Sequence, residues 1–303
     1  MRIKSLYLAL GYQCNNNCVI CAVSSREKQN KIMRTEEIIK FLEDVEKENK
    51  NLRKIEISGG EPTIRNDFFE IMDFIKERFP KAILCLLSNG RKFSNLEFTK
   101  KCSNYNFYNI IVAIHGPNKK IHEKITNAEN SFWETVNGVK NMLAMEMNIK
   151  TKTIITKINY KFLPRIAEFV AVNFEGIKNH AFHGLDICGN AEKNFEKVAV
   201  SLKKAKPMIE EAIDILKSYG VSTGLYSIPY CCVDEAYWKF VLPQPKTTFF
   251  YKSPEREVVN EFLDEKYGIQ QRCFNCSLKH MCSGVWESYY KKFQDDLSPI
   301  SLR

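Results

Sequence analysis

Residues 14–21 read CNNNCVIC: three thiols within eight residues, just after an apolar run. Thiols spaced this way in a loop can converge on one soft metal centre. Zinc in a structural site asks for a fourth protein ligand to close its tetrahedron, and no fourth thiol lies nearby. A cubane iron–sulfur cluster can instead take three cysteines and leave one iron for an outside ligand. Disulfides are the third option, and they depend on the compartment. A second cysteine group, Cys273, Cys276 and Cys282, lies near the other end, with Cys231 and Cys232 upstream. Cys85, Cys102 and Cys188 stand alone, and the first two read as core residues.

The compartment follows from the N-terminus. MRIKSLYLALGYQC has a basic start and a short apolar run, but Gly-Tyr-Gln before Cys14 makes a poor cleavage site. Leu6, Leu8 and Leu10 alternate with Tyr7 and Ala9, which fits a first strand better than a signal peptide. No apolar stretch approaches the about 20 residues of a membrane span. We read the protein as cytoplasmic, where clustered cysteines hold metals or do redox work more often than they form disulfides. The net charge of +9 admits an anionic partner. Lysines are scattered along polar helix faces, as in EKENKNLRK, with no dense basic tract that would favour nucleic acid.

Strands and helices must place these loops. Candidate strands are 5–11, 54–58, 82–88, 109–114, 150–156 and 180–187, the later ones read as continuous apolar runs. Between them lie helical patterns starting at Thr35, at Asn66 (stopping before Pro80), at Ser131 with Glu134 in capping-box spacing, and after Lys161. The βα pattern repeats six times and predicts a parallel sheet with right-handed crossovers. The unusual stretches all fall at the C-terminal ends of strands: CNNNCVIC, SGGEPT (58–63), SNG (88–90), HGP (115–117) and ICGNAE (187–192). In barrel-like parallel folds that edge carries the site. After about residue 200 the pattern becomes irregular, and a boundary is expected near 215.

CxxxCxxC after the first strand, followed by GGEP after the second, resembles the radical S-adenosylmethionine (SAM) superfamily over roughly the first 200 residues. The resemblance implies an α/β fold, a partial (β/α)6 TIM-like barrel over 1–215 followed by a small C-terminal domain over 216–303. It implies that Cys14, Cys18 and Cys21 ligate a [4Fe-4S] cluster whose fourth iron is chelated by the methionine part of SAM. The reduced cluster then cleaves the sulfonium, and a 5′-deoxyadenosyl radical takes hydrogen from the substrate. Gly59 and Gly60 would let backbone approach the ligand closely. Glu61 would accept from the cofactor's ammonium, and Pro62 would stiffen the turn. Ser88 and Asn89 match the polar end of strand three, which faces ribose or carboxylate. Ile187, Gly189 and Glu192 resemble the I-x-G-x-x-E pattern that lines adenine. The family usually has an aromatic residue before the third cysteine; here it is Ile20, so adenine would pack on an aliphatic side chain. His115, at a strand end, is placed against cofactor or substrate, with a histidine satisfied by loop backbone as the plainer reading. Cys188 reads as a small apolar filler rather than a hydrogen-atom donor.

Cys273-x2-Cys276-x5-Cys282 resembles the auxiliary-cluster segment of the SPASM and twitch subfamilies. Where those continue with a further cysteine, this chain has Trp286. The resemblance therefore implies a fourth thiolate from upstream, Cys231 with Cys232 as its rival, and one closed auxiliary [4Fe-4S] cluster. Structural zinc is the alternative. IPYC, the C-x2-C-x5-C-x-G run, the closing SPI, and HGPNKKIHEKIT followed by SFWETVNGVKNM resemble the radical maturases of His-Xaa-Ser peptide systems. That implies a ribosomally made peptide as substrate. No leader-binding domain is expected before the first strand, so a peptide would dock through another protein or the C-terminal domain. A reductant protein such as flavodoxin or ferredoxin is the expected partner; a membrane is not. A small molecule, nucleotide or tRNA substrate is the alternative, and a non-catalytic iron–sulfur binding protein is the reading from another class.

Overall fold

The computed structural model describes residues 4–48, 52–242, 249–260 and 267–301. Seven strands lie side by side in chain order, each parallel to the next: β1 (Ser5–Ala9), β2 (Lys54–Ser58), β3 (Ile83–Ser88), β4 (Asn109–Ala113), β5 (Ile149–Ile154), β6 (Asn179–His183) and β7 (Ser222–Tyr226). An eighth strand, β8 (Phe249–Lys252), pairs parallel with the free side of β1, and β9 (Glu257–Asn260) pairs antiparallel with β8. Helices fill the crossovers: α1 (Thr35–Glu48), α2 (Phe68–Arg78), α3 (Leu96–Ser103), α4 (Lys119–Thr126), α5 (Ser131–Ala144), α6 (Leu163–Asn173), the short α7 (Asn190–Lys193) and α8 (Phe195–Val198), and α9 (Leu202–Ser218). Beyond the sheet, β10 (Tyr267–Gly268) pairs antiparallel with β11 (Val285–Trp286), which runs into α10 (Glu287–Phe293).

The sheet is unclosed but curled. In a flat sheet β2 and β7, five strands apart, would stand about 24 Å from each other. Yet Lys54 on β2 and Tyr226 on β7 sense each other's charge. This is the α/β wall of a partial TIM-like barrel. Six strands lie where the apolar runs predict them. The last ends at His183 instead of 187, because the chain leaves at Gly184, where a Cβ would stand 2.3 Å from the Ser227 carbonyl.

Three expectations are corrected. The strands are not apolar on both faces. Leu6, Leu8, Ile55, Ile57, Leu86 and Ile110 are buried under the helices. β5 alternates strictly, with Lys150 and Lys152 on the other, half-exposed face. The boundary near 215 falls inside α9, which packs on α6 and feeds β7, a strand too small in its side chains (STGLY) to announce itself. The capping box at Ser131 does not form. Asn130, with φ 59°, precedes the helix, Ser131 shares a 2.7 Å hydroxyl bond with Thr126, and Glu134 pairs with Arg91.

Two histidines under the sheet are neutral. Burial lowers His180 to about 3 and His122 to about 4, Arg91 adding to the latter. In the unfolded chain each binds a proton near 6.5. The unfolded state then holds more protons between those limits, so this stability is whole above about pH 6.5 and is lost as pH falls through that range. The thermal midpoint should therefore drop between about pH 7.5 and about pH 5, and His180→Gln should flatten part of the slope. A wild-type midpoint that ignores pH there contradicts this account.

Candidate functional site

After β1 the chain makes a long loop that returns beside its own start. The Tyr12 amide donates to the Lys31 carbonyl and the Met33 amide to the Leu10 carbonyl, at 3.0 and 3.2 Å. Arg65, paired with Asp67, donates to the carbonyls of both Leu10 and Met33 and so staples the two ends. The cysteine segment in between is held by three neighbouring loops. Gly60 and Glu61, after β2, donate their amides to the carbonyls of Gly11 and Gln13 at 2.8 and 2.7 Å. The carbonyls of Ile125 and Thr126, at the end of α4, take the amides of Val19 and Asn17. The Asn190 amide, after β6, donates to the Cys21 carbonyl at 2.8 Å, and its side chain to the Cys18 carbonyl.

These contacts explain the glycines. A Cβ on Gly59 would stand 2.2 Å from the Gly11 oxygen, and one on Gly60 2.1 Å from the Gln13 oxygen. At Gly189, where φ is 57°, it would stand 2.4 Å from the Ala22 oxygen. On the Cβ side of Gly59 and Gly60 it is the cysteine loop's own carbonyls that come close.

Glu61 is buried, and its carboxylate accepts from the Thr63 amide and hydroxyl, the Ser88 hydroxyl and the Asn89 amide, at 2.6–3.1 Å. Burial raises its pKa while these donors oppose the shift. Glu61 and Ser88 therefore tie the ends of β2 and β3 together, and most of the acceptor capacity expected for an ammonium is used internally. Pro62 opens a single 3₁₀ turn that Glu61 caps. Asn89 reaches the cysteines, donating to Asn15 Oδ1 at 2.6 Å and, at 3.9 Å, to Cys14 Sγ.

Cys14, Cys18 and Cys21 are half-buried and close enough to act on one another electrostatically. Burial, with Glu61 second, pushes Cys14 up to about 12, and burial raises Cys18 as well. Backbone amides of Asn16 and Ser25 donate to the sulfurs of Cys14 and Cys21, each at 3.4 Å. Among the described residues no group of three or more His, Cys, Asp or Glu side chains is drawn together tightly enough for one metal ion. In a cubane each thiolate would have its own iron, tuned by amide donors to sulfur.

The other expected positions divide. Ile187 and Glu192 line a cavity of about 410 Å³ together with Asp186, Trp286, Ser288 and Lys291. Ser288 binds both Asp186 Oδ1 and the Ile187 amide, so α10 closes this side. Ile20 packs into the hydrophobic core, 8% exposed. Cys188 is not an apolar filler, since its thiol donates to Asp186 Oδ2 at 3.0 Å. His115 is buried, and among the described residues its ring Nδ1 has no hydrogen-bond partner, contrary to a backbone-satisfied histidine. Burial, then His122 and Lys152, keeps its pKa well below the ordinary value.

In the second set, Cys231 acts electrostatically on Cys273 and Cys282, and Cys276 on Cys273. Cys232 is fully buried; its thiol donates to the Asp296 carbonyl at 3.8 Å and also lies against the Cys231 thiol. The Ile300 amide donates to Cys276 Sγ and that of Gly284 to Cys282 Sγ. Arg65, Thr63, Arg91 and Asn190 escaped the sequence reading: Thr63 and Asn190 lie inside quoted stretches and Arg65 and Arg91 just after them, and that position was their only signal.

The profile described as the Radical SAM superfamily matches residues 8–170. A probable GTP 3′,8-cyclase of Methanocaldococcus jannaschii is 31% identical over 168 residues, 55% of each chain. Another from Saccharolobus islandicus is 24% identical over 211 residues, 65% of this chain and 66% of that one. The match thus spans between half and two thirds of these relatives. In fold, the chain is similar to Streptococcus suis SuiB bound to precursor peptide SuiA, with TM-score 0.66, 12% identity, and coverage of 99% of this chain and 75% of SuiB. It is also similar to anSMEcpe with bound AdoMet and the Cp18Cys peptide, with TM-score 0.58, 18% identity, and coverage of 73% and 63%.

Gly60→Ala should push the cysteine loop outward. Hydrogen exchange measured on amides of residues 11–22 is expected to quicken; exchange equal to wild type would show that the close contact does not hold the loop.

Proposed function

This chain belongs to the radical SAM superfamily, and on that premise we propose that it is an enzyme that modifies a ribosomally made peptide by hydrogen abstraction. Cys14, Cys18 and Cys21 would hold the [4Fe-4S] cluster, leaving one iron for SAM. When bound, the cluster and SAM supply one-electron cleavage of the sulfonium and a carbon radical able to take hydrogen from a substrate. Asn89 and the loop of Gly59, Gly60, Glu61 and Pro62 would orient the cofactor's amino-acid end. Ser88 would act through Glu61. Ile187, Gly189 and Glu192 would border its nucleoside end, with Trp286 and Ser288 added from α10. Ile20 would support this wall from the core.

The observation that carries this reading is the convergence of the β2, β3 and β6 loops on one cysteine segment. Cys231, Cys273, Cys276 and Cys282 would hold an auxiliary [4Fe-4S] cluster, with Cys231 chosen over the buried Cys232. The functional division then falls after β7, with the second cysteine set beyond it. The fold likeness to peptide-bound SuiB runs over 99% of this chain, which supports a peptide. A nucleotide is the second reading, favoured by the 31% identity to a GTP cyclase over 55% of the chain. An external one-electron donor such as flavodoxin or ferredoxin, in a reducing compartment, completes the proposal. No described helix is long and apolar enough to cross a membrane.

Anaerobically reconstituted protein should contain about eight irons, two cubanes of four. With dithionite and SAM it should release 5′-deoxyadenosine. Cys18→Ala should abolish that release with the fold retained, while Cys276→Ala should keep some release and lose modified product. Release undiminished by Cys18→Ala would overturn the cluster assignment. Turnover of GTP instead of a peptide encoded beside this protein would favour the second reading.

A further inference from the structure

The segment after α10 takes no part in the first site, yet it is tied down along its length. Asp296 is buried, 7% exposed, beside the first turn of α9. Its carboxylate accepts from the Ser201 hydroxyl at 2.7 Å, from the Lys203 amide at 3.4 Å and from the Tyr289 hydroxyl. A carboxylate suits a helix N-terminus, where the first amides lack partners within the helix. Lys203 Nζ donates to the Asp295 carbonyl at 2.8 Å and to Ser298 Oγ at 3.0 Å, and Leu297 is buried.

The same segment reaches the second cysteine set. The Ile300 amide donates to Cys276 Sγ at 3.4 Å, and the Ile300 carbonyl accepts the Ser277 amide at 2.8 Å. Backbone hydrogen bonding from Ser298 favours the Cys231 thiolate. Pro299, between them, has no N–H to leave unpartnered. Gln270 does the same for Cys273, and Tyr230 and Gly284 for Cys282. Cys231, Cys273, Cys276 and Cys282 thus each meet a backbone N–H. Such a donor set fits a centre of thiolates, whose negative charge the N–H groups offset.

We propose that Asp296–Ile300 is a strap belonging to the second metal centre: Asp296 anchors it to α9, and the amides of Ser298 and Ile300 bond the sulfurs of Cys231 and Cys276 and hold the centre's reduction potential up. This rests on the reading of these cysteines as one iron–sulfur centre. The reduced centre carries one more negative charge, so an N–H on sulfur stabilises it more than the oxidised centre. The anchor sits on a helix of the barrel. Loosening the strap therefore changes the potential without touching a ligand.

The test is a redox titration followed by electron paramagnetic resonance on full-length, anaerobically reconstituted protein, and it reads no turnover. The second centre is the signal missing from Cys276→Ala. Ile300→Pro removes one amide and keeps the carbonyl that takes Ser277. Ser298→Pro removes the other, and Leu297, with ψ 119°, already has the conformation that a following proline requires. Each should lower the second midpoint, changing the ratio of oxidised to reduced centre at a fixed potential by about tenfold, which is about 59 mV for one electron. Ile300→Val and Ser298→Ala keep the amides and should stay at the wild-type midpoint. The first centre's midpoint should move in none of the four. Wild-type midpoints in both proline variants overturn the strap, as does a shift as large in Ile300→Val as in Ile300→Pro. If neither proline variant takes up the second centre, hydrogen exchange in the wild-type protein decides. The peptide covering residues 297–301 should exchange more slowly when the metal is loaded than after it is stripped, and equal rates overturn the strap. About four irons per chain instead of about eight, with zinc in the second set, counts against the iron–sulfur reading. The same exchange comparison, made by removing zinc, then judges the strap. A second set that takes up no metal overturns both.

Discussion

The cysteine loop is fixed by contacts between backbones. Gly11, Gln13, Cys21 and Ala22 turn their carbonyls toward loops from β2 and β6, and the partners at closest approach are glycines 59, 60 and 189. Side chains could not substitute, because a single Cβ at any of these places would enter an oxygen's own volume. The result is a segment held from several sides before any metal arrives. A three-thiol centre needs that, since its fourth corner must stay open to an outside ligand while the sulfurs keep their places. The tie of Glu61 to Ser88 and Asn89 extends the same frame to β3, and Asn89 carries it back to Cys14.

Curling divides the labour between the two faces of the sheet. Helix-covered positions are aliphatic and buried, so they supply stability through area removed from water. The opposite positions include lysine, glutamate, histidine and tyrosine beside Leu87, Ile111 and Ile154, a mixture that a closed apolar barrel would not tolerate. The C-terminal part meets this frame through α10, whose Ser288 binds Asp186 and Ile187, and Tyr289 donates to Asp296 near the buried Cys232. Cys282 lies six residues before Ser288 in the chain. The second cysteine set is therefore covalently close to the wall of the first site.

Much of this was legible in the sequence, and for physical reasons. Period and apolar content placed six strands, and the cysteine and GGEP stretches fell at their C-terminal ends because unusual residues collect where backbone must turn tightly. Three things were hidden. β7 reads STGLY, whose small residues carry no strand signature; its place comes from α9 and from pairing with β6. The partner of Gly59 and Gly60 could not be read, since glycine signals close approach without saying to what. Nor could Glu61 be recognised as an internal tie, because its donors, Ser88 and Asn89, lie 27 and 28 residues away in the chain. The polar face of β5 was missed by reading KTKTIIT as an apolar run when its lysines alternate.

The central claim is that the iron centre held by Cys14, Cys18 and Cys21 keeps one corner open for the amino-acid end of SAM. The direct measurement is electron–nuclear double resonance on the reduced, reconstituted protein with SAM labelled with ¹⁵N at its amino group and ¹⁷O at its carboxyl group. The account predicts hyperfine couplings from both labels that disappear in Cys18→Ala. A reduced cluster at this site whose signal is the same with and without labelled SAM would contradict it.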